Sequence, residues 1–273
     1  ALKTTLPESD YIEALLEDFR VSLPQAQGRP LISIFMGGGT PSLFSPKSIG
    51  ILLRHIKEAI DCVPNMEITL EANPGTIEHG QFAEYVSAGV TRVSLGIQSF
   101  SARQLCTLGR IHSEKEAEKA IVDLKNSALQ SFNLDLMYAL PEQTVEEAMI
   151  DLSTAIAFNP PHLSWYQLTL EPNTPFYHQP PKVPSHDLCA DIEEAGLALL
   201  KQHGYTRYEI SAYHRGHPCL HNLNYWSFGD YLGIGAGAHS KITDPKTNTI
   251  IREIRHKHPK TYLKKDPFIQ QRT

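Results

Sequence analysis

Between residues 31 and 212 this 273-residue chain alternates between short runs rich in Val, Ile, Leu and Phe and longer stretches whose apolar residues recur at helical spacing. No other feature limits the fold as much. Strand followed by helix, repeated, builds a parallel sheet whose right-handed crossovers lay helices over it. Strands are expected at 31–36, 67–71, 92–97, 132–137, 162–170 and 207–212, the last being the final clear one. Helices are expected at 8–21, from Ser45-Pro46 onward, and at 81–88, 102–108, 114–127, 146–158 and 187–203. The first carries Tyr11, Leu15, Leu16 and Phe19 on one face with Ser9 or Asp10 as its cap; the second carries Ile49, Leu52, Leu53 and Ile56. So many units in a row amount to a full or partial α/β barrel.

Such folds bind ligands at the C-terminal ends of their strands, and the sequence after the first strand fits a ligand site. Gly37, Gly38 and Gly39 leave backbone N–H and C=O groups with no side chains over them, so a small polar molecule can approach closely. Thr40 and Ser42 add hydroxyls. Further polar residues gather at the expected strand ends: Glu71, Asn73, Gln98, Asp135 and Glu171. Any one of these carboxylates alone reads as a cap or loop contact. Several on one face read as a site.

A net charge of -5 and 41% hydrophobic content exclude disorder and give no basic field for nucleic acid or anionic lipid. The locally basic stretch 252–265 reads as a solvated surface segment. No run approaches the roughly 20 apolar residues that span a bilayer, and no signal peptide opens the chain, so a cytoplasmic location is expected. Cys62, Cys106, Cys189 and Cys219 are widely spaced, which reads as free thiols rather than a metal-cluster loop.

The order of motifs carries a resemblance. Gly-Gly-Gly-Thr-Pro-Ser at 37–42, Glu71-Ala-Asn-Pro-Gly75, Ser94-Leu-Gly-Ile-Gln-Ser-Phe100, Gly109-Arg110, Asn133-Leu-Asp-Leu-Met137 and Pro141 follow one another as in the radical S-adenosylmethionine proteins related to oxygen-independent coproporphyrinogen III oxidase. The stretches 163–174, His221-Asn-Leu-Asn-Tyr-Trp226 and 229–239 resemble the haem-chaperone branch of that family. The resemblance covers essentially the whole chain. It implies a partial (β/α)6-type barrel over residues 1–212 and a C-terminal extension, truncated, over 213–273. It also implies S-adenosylmethionine at Gly38, Gly39, Thr40, Glu71, Gln98, Arg110 and Asp135, with Ile234 a weaker match, beside a 4Fe-4S cluster in the intact protein. Backbone acceptors suit the ligand's ammonium, Arg110 can fork to its carboxylate, and acidic groups can accept from ribose hydroxyls. For Arg110 the plain alternative is a surface ion pair.

The departure is the absence of the family's CxxxCxxC loop and of the strand before it. Ala1-Leu2-Lys3 resembles the residues just beyond that loop, so the native protein is expected to be longer at both ends. Without those thiolates the chain as written cannot hold the cluster in the family's way, and no catalytic residue is assigned.

The branch implies haem as ligand, with His221 on the haem iron and Asn222, Tyr225 and Trp226 around the porphyrin; an exposed-loop histidine beside aromatics suits axial ligation. The plain alternative is a histidine hydrogen-bonded inside an aromatic cluster. His214, His217 and Cys219 lie close enough in sequence to add a ligand, while His256 and His258 read as surface residues. The expected function is a haem chaperone delivering haem to haem-requiring acceptors, respiratory ones among them, with any membrane contact made through those acceptors. The alternative is an oxygen-independent coproporphyrinogen III oxidase, and the blandest reading is a barrel used only as scaffold.

Overall fold

The structure is a computed structural model describing residues 7–76, 81–265 and 267–273; the expectation placed on Ala1-Leu2-Lys3 lies outside them. In chain order the elements are α1 (Glu8–Ser22), β1 (Leu31–Met36), α2 (Pro46–Ala59), β2 (Cys62–Ala72), α3 (Gln81–Ser87), β3 (Arg92–Gln98), α4 (Ala102–Thr107) and α5 (Glu114–Asn126). Then come β4 (Ser131–Tyr138), α6 (Val145–Ala157), β5 (His162–Gln167), α7 (Pro175–His178), α8 (His186–Gln202), β6 (Thr206–Arg207), β7 (Ala212–His214) and α9 (Leu220–Trp226). The last are β8 (His239–Asp244), β9 (Thr249–Arg255), α10 (Pro259–Tyr262) and β10 (Ile269–Arg272).

Local chemistry sets the helix starts. Ser45 caps α2, its Oγ accepting from Ser48 N–H, with Pro46 filling the first helical position. Capping boxes Ser113/Glu116 and Thr144/Glu147 open α5 and α6. At α1 the expected cap fails: Pro7 stands at the cap position with no side-chain bond, and Ser9 and Asp10 are already inside the helix. Glu8 instead accepts from Ser45 N–H (2.9 Å) and Oγ–H (2.6 Å), fastening the start of α1 to the start of α2.

The main sheet has the order β1-β2-β3-β4-β5-β7-β6, its first five strands parallel, curled into a half-barrel. Helices cover its outer face. Ile68, Leu70, Val93, Leu95, Ile97, Leu134, Leu136, Leu163 and Trp165 pack there against Ile121, Leu124, Leu152, Ile192 and Leu200, all buried. Each residue between these along the strands points to the concave face, as strand alternation requires.

The parallel run ends earlier than the sequence implies. The expected strand 207–212 is instead two short strands around a reversal, β6 and β7, with β7 antiparallel to both β5 and β6. Glu209 tightens the reversal: its carboxylate accepts from Ser211 N–H and Oγ–H, and its carbonyl accepts from Arg207 Nε. The expected boundary at 212/213 falls inside β7.

A second sheet, β10-β9-β8, is antiparallel and was not anticipated. It docks on α1 through a buried ionic network, which corrects the reading of 252–265 as a solvated segment. Arg255 is fully buried with Asp18 (3.2 Å) and Glu253 (3.0 Å), while Tyr262 O–H donates to Asp18 (2.8 Å) and Arg255 to Ser22 Oγ (2.7 Å). Arg272 reaches Glu253 from the rim. Removing one member of such a network strands a buried charge, costing about 3–5 kcal/mol.

Candidate functional site

The concave face is polar from rim to floor. β2 contributes Glu67, Thr69 and Glu71; β3 Arg92, Ser94 and Gln98; β4 Asn133 and Asp135; β5 His162, Ser164 and Tyr166. Hydrogen bonds join them across strands. Asn133 Nδ2 donates to Ser94 Oγ (2.8 Å) and Asp135 Oδ1 (2.7 Å), Ser94 Oγ–H donates to Asp135 Oδ2 (3.0 Å), and Asn133 Oδ1 meets His162 Nδ1 at 2.6 Å. His162 Nε2 meets Tyr208 OH at 2.8 Å, and Tyr208 OH accepts from Asn222 Nδ2 at 3.1 Å. A continuous polar chain thus runs from Asp135 to the start of α9.

At the rim the glycine run is shaped as a cradle. Gly38 and Gly39 have φ of 76° and 56°, in the left-handed region, and a Cβ on either would meet nothing within 4 Å, so their backbone faces open space. A Cβ on Gly37 would sit 2.4 Å from the Phe35 ring. Gly38 N–H donates to Glu71 Oε2 at 3.0 Å, and Asn73 Nδ2 donates to Thr40 Oγ1 at 3.4 Å, so four of the expected residues meet here. Burial pushes the Glu71 carboxyl up, the nearby Asp135 adds to this, and the Gly38 N–H opposes it. Gln98 takes a left-handed φ of 70° where the β3–β4 register shifts, and its Oε1 accepts from Tyr166 O–H at 2.5 Å.

Two expected strand ends are misplaced. Asp135 lies in the middle of β4, because that strand runs on to Tyr138, and burial pushes its carboxyl up against the pull of its hydrogen bonds. Glu171 is exposed, beyond the end of β5. Arg110 is exposed just after α4, without an ion pair among the described residues. Ile234 packs, as do Leu15 and Leu16 of α1 and Ile34 of β1, against the buried cluster of Ile12, Phe19, Leu52 and Ile56.

His221 is not on an exposed loop. It lies in the first turn of α9, with its side chain 12% exposed, and its ring packs 4.3 Å from that of Phe35 on β1. Its Nδ1 is 2.9 Å from Glu67 Oε1 and 2.9 Å from Cys219 Sγ. Glu67 also accepts from Leu220 N–H at 3.0 Å and His221 N–H at 3.3 Å. Burial would push the Glu67 carboxyl up, but these bonds and the Arg92 charge outweigh it and hold it at about 2. Tyr225 and Trp226 are exposed, Tyr225 standing edge-on to Tyr231 at 4.9 Å, and Asn222 turns inward to Tyr208.

One cavity of about 1010 Å³ beside β1 is lined by His221, Tyr225, Phe35, Gly37, Gly38, Gly39, Thr40 and Ile234. It brings the glycine cradle and the α9 histidine to a single space. Sequence reasoning missed the residues that hold these groups in place: Glu67, Arg92, His162, Tyr166 and Tyr208. The signal was present as polar residues at every second position of β2 to β5. What the spacing did not give was which strands face one another.

The four cysteines are free and lie on separate elements. Among the described residues the one grouping of three or more potential metal ligands is Glu67, Cys219 and His221. No helix of the described residues is long and apolar enough to cross a membrane.

Residues 7–153 match the family model of the radical SAM superfamily. The chain is 56% identical over 269 residues to heme chaperone HemW of Haemophilus influenzae, covering 97% of this chain and 70% of that protein. It is 50% identical over 264 residues to heme chaperone HemW of Escherichia coli, covering 96% of this chain and 70% of that protein. Among solved structures, coproporphyrinogen III oxidase (HemN) of Escherichia coli, a radical SAM enzyme, superposes with a TM-score of 0.82 at 23% identity; the match covers 97% of this chain but only 64% of that one, a likeness of fold. By these matches the chain belongs to the radical SAM superfamily and, within it, to the HemW family.

Proposed function

We propose that this chain is the core of a haem chaperone of the radical SAM class, binding haem at His221 and passing it to haem-requiring acceptor proteins. The supporting observation is the single cavity that joins His221 and Tyr225 to the glycine cradle, in a chain 56% identical to a heme chaperone. In this reading the His221 imidazole ligates the iron, with Asn222, Tyr225 and Trp226 around the porphyrin.

S-adenosylmethionine fits the rim. The open backbone at Gly38 and Gly39 can receive its amino-acid end beside Thr40, Glu71 and Gln98 can contact it from the ends of β2 and β3 and Arg110 from the segment after α4, Asp135 offers acceptors below, and Ile234 supplies an apolar wall. A 4Fe-4S cluster does not fit the residues present: the four cysteines stand on separate elements and bring no set of three thiolates together, so no step is assigned to a cluster here. In the intact protein it would have to be held by residues outside this chain.

We further propose a barrel over residues 1–212 with an extension from 213, a cytoplasmic location, and respiratory proteins among the acceptors. The oxidase alternative rests on fold likeness, which does not carry an activity at 23% identity. Spectral titration of haem into the chain and into His221→Ala tests the first reading: a Soret shift with the native chain and none with the variant is expected. Equal spectra would remove His221 as the ligand.

A further inference from the structure

We infer that Glu67, Cys219 and His221 form a binding site for one divalent transition-metal ion of the zinc class. This site goes beyond the haem reading, because its third ligand, Cys219, has no part in that reading.

Three unlike side chains arrive from separate directions. Glu67 projects from the concave face of β2, Cys219 is the residue capping α9, and His221 follows in the first turn. Their ligand atoms form a nearly equilateral triangle: Cys219 Sγ to His221 Nδ1 is 2.9 Å, Sγ to Glu67 Oε1 3.1 Å, and Nδ1 to Oε1 2.9 Å. An ion with Zn–N, Zn–O and Zn–S bonds of about 2.0–2.3 Å in tetrahedral geometry holds its ligands roughly 3.3–3.6 Å apart. The triangle therefore has to open by only about half an ångström. One thiolate, one imidazole and one carboxylate suit zinc and its neighbours; magnesium and calcium call for oxygen alone.

The surroundings hold the ligands in place. Leu220 N–H fixes the other Glu67 oxygen and the Phe35 ring fixes the plane of His221, so little freedom is left to lose on binding. Cys219 is 2% exposed, but His221 and Glu67 keep 12% and 13% of their side chains exposed, and His221 lines the cavity beside β1, which gives the ion an entry and a position for water. On binding, the thiol gives its proton to solvent; thiolate and carboxylate then balance the ion's two charges. Burial and the Glu67 charge push the Cys219 thiol up to about 12 against the pull of the buried Arg92, so it is the ion itself that has to displace the thiol proton. The ion takes Nδ1 of His221, whose single proton then sits on Nε2 as a hydrogen-bond donor, so the ion and the haem iron take this imidazole in turn and not together.

Cobalt(II) titration of the purified, tag-free chain tests this. A thiolate-to-cobalt charge-transfer band that saturates at one equivalent and is bleached by one equivalent of zinc is expected. Cys219→Ser should remove the band, and Glu67→Gln should weaken binding by about 10–100-fold. No band, or a band that persists in Cys219→Ser, overturns the site, the latter because the ion would then sit on another cysteine. Should the variants not fold, X-ray absorption of the zinc-loaded native chain decides: one sulfur with nitrogen and oxygen supports the site, and a shell with no sulfur or with two or more refutes it. Haem binding is read separately in the Soret region, so failure of one reading is distinguishable from failure of the other.

Discussion

Strand β4 shows two chemistries one residue apart. Leu134 and Leu136 point outward into the helix layer and are fully buried, whereas Asn133 and Asp135 point inward and are hydrogen-bonded to Ser94 and His162. β2, β3 and β5 repeat the pattern. The two faces are both shielded from water, yet only the outer one gains from it, since burying polar groups returns little net energy even when every bond is made. The outer face thus holds the fold, and the inner face holds groups in positions where a ligand can meet them.

The largest test of that division is Leu134→Ala, which removes a fully buried side chain and should cost about 2–5 kcal/mol in denaturant unfolding. Haem and S-adenosylmethionine affinities measured on the folded fraction should be unaltered; altered affinities with intact stability would reverse the roles of the two faces. Next in size is Asn133→Ala, which leaves His162 Nδ1 without its partner, takes a donor from Ser94 Oγ and Asp135, and should cost about 1–3 kcal/mol while displacing Asp135. A loss matching Leu134→Ala with unchanged ligand binding would make the inner face merely structural.

The third effect is one of pH, read over the window from pH 7 to 5. Burial, and then the Arg92 and His214 charges, push His162 down to about 2, so it stays neutral in the folded chain while the unfolded chain takes up a proton near the ordinary histidine value of about 6.5. Stability present above that value is lost as pH falls from there toward 2, by up to about 1.4 kcal/mol per pH unit. Thermal melts from pH 7 to 5 should show this slope in the native chain and a shallower one in His162→Gln. Equal slopes would mean that the inner face does not hold this histidine neutral.

How much of this was legible in the sequence follows from the range of the interactions involved. Strands β1 to β5 were readable because their outer residues alternate with inner ones within a single segment, and α2, α5 and α6 because their caps lie three residues from what they cap. The reversal at Glu209 was missed because two-residue strands leave no periodic trace, and β8 to β10 because their alternation is broken by Lys241, Glu253 and Arg255, charged residues buried only by virtue of their partners. The rim residues Gly38, Thr40 and Glu71 were found as motif members, and the structure brings them together. Glu67 was not found, because its partner Cys219 is 152 residues away and nothing local marks either one.

The contact between Asp18 and Arg255 spans 237 residues. During synthesis on the ribosome, α1 emerges before the half-barrel and its carboxylate stays without its guanidinium until residue 255 has been made. Closing so long a loop is slow and is repaid only once the contact forms. The half-barrel can therefore assemble strand by strand while α1 still lacks its ionic anchor, and the docking of β9 is what supplies that anchor.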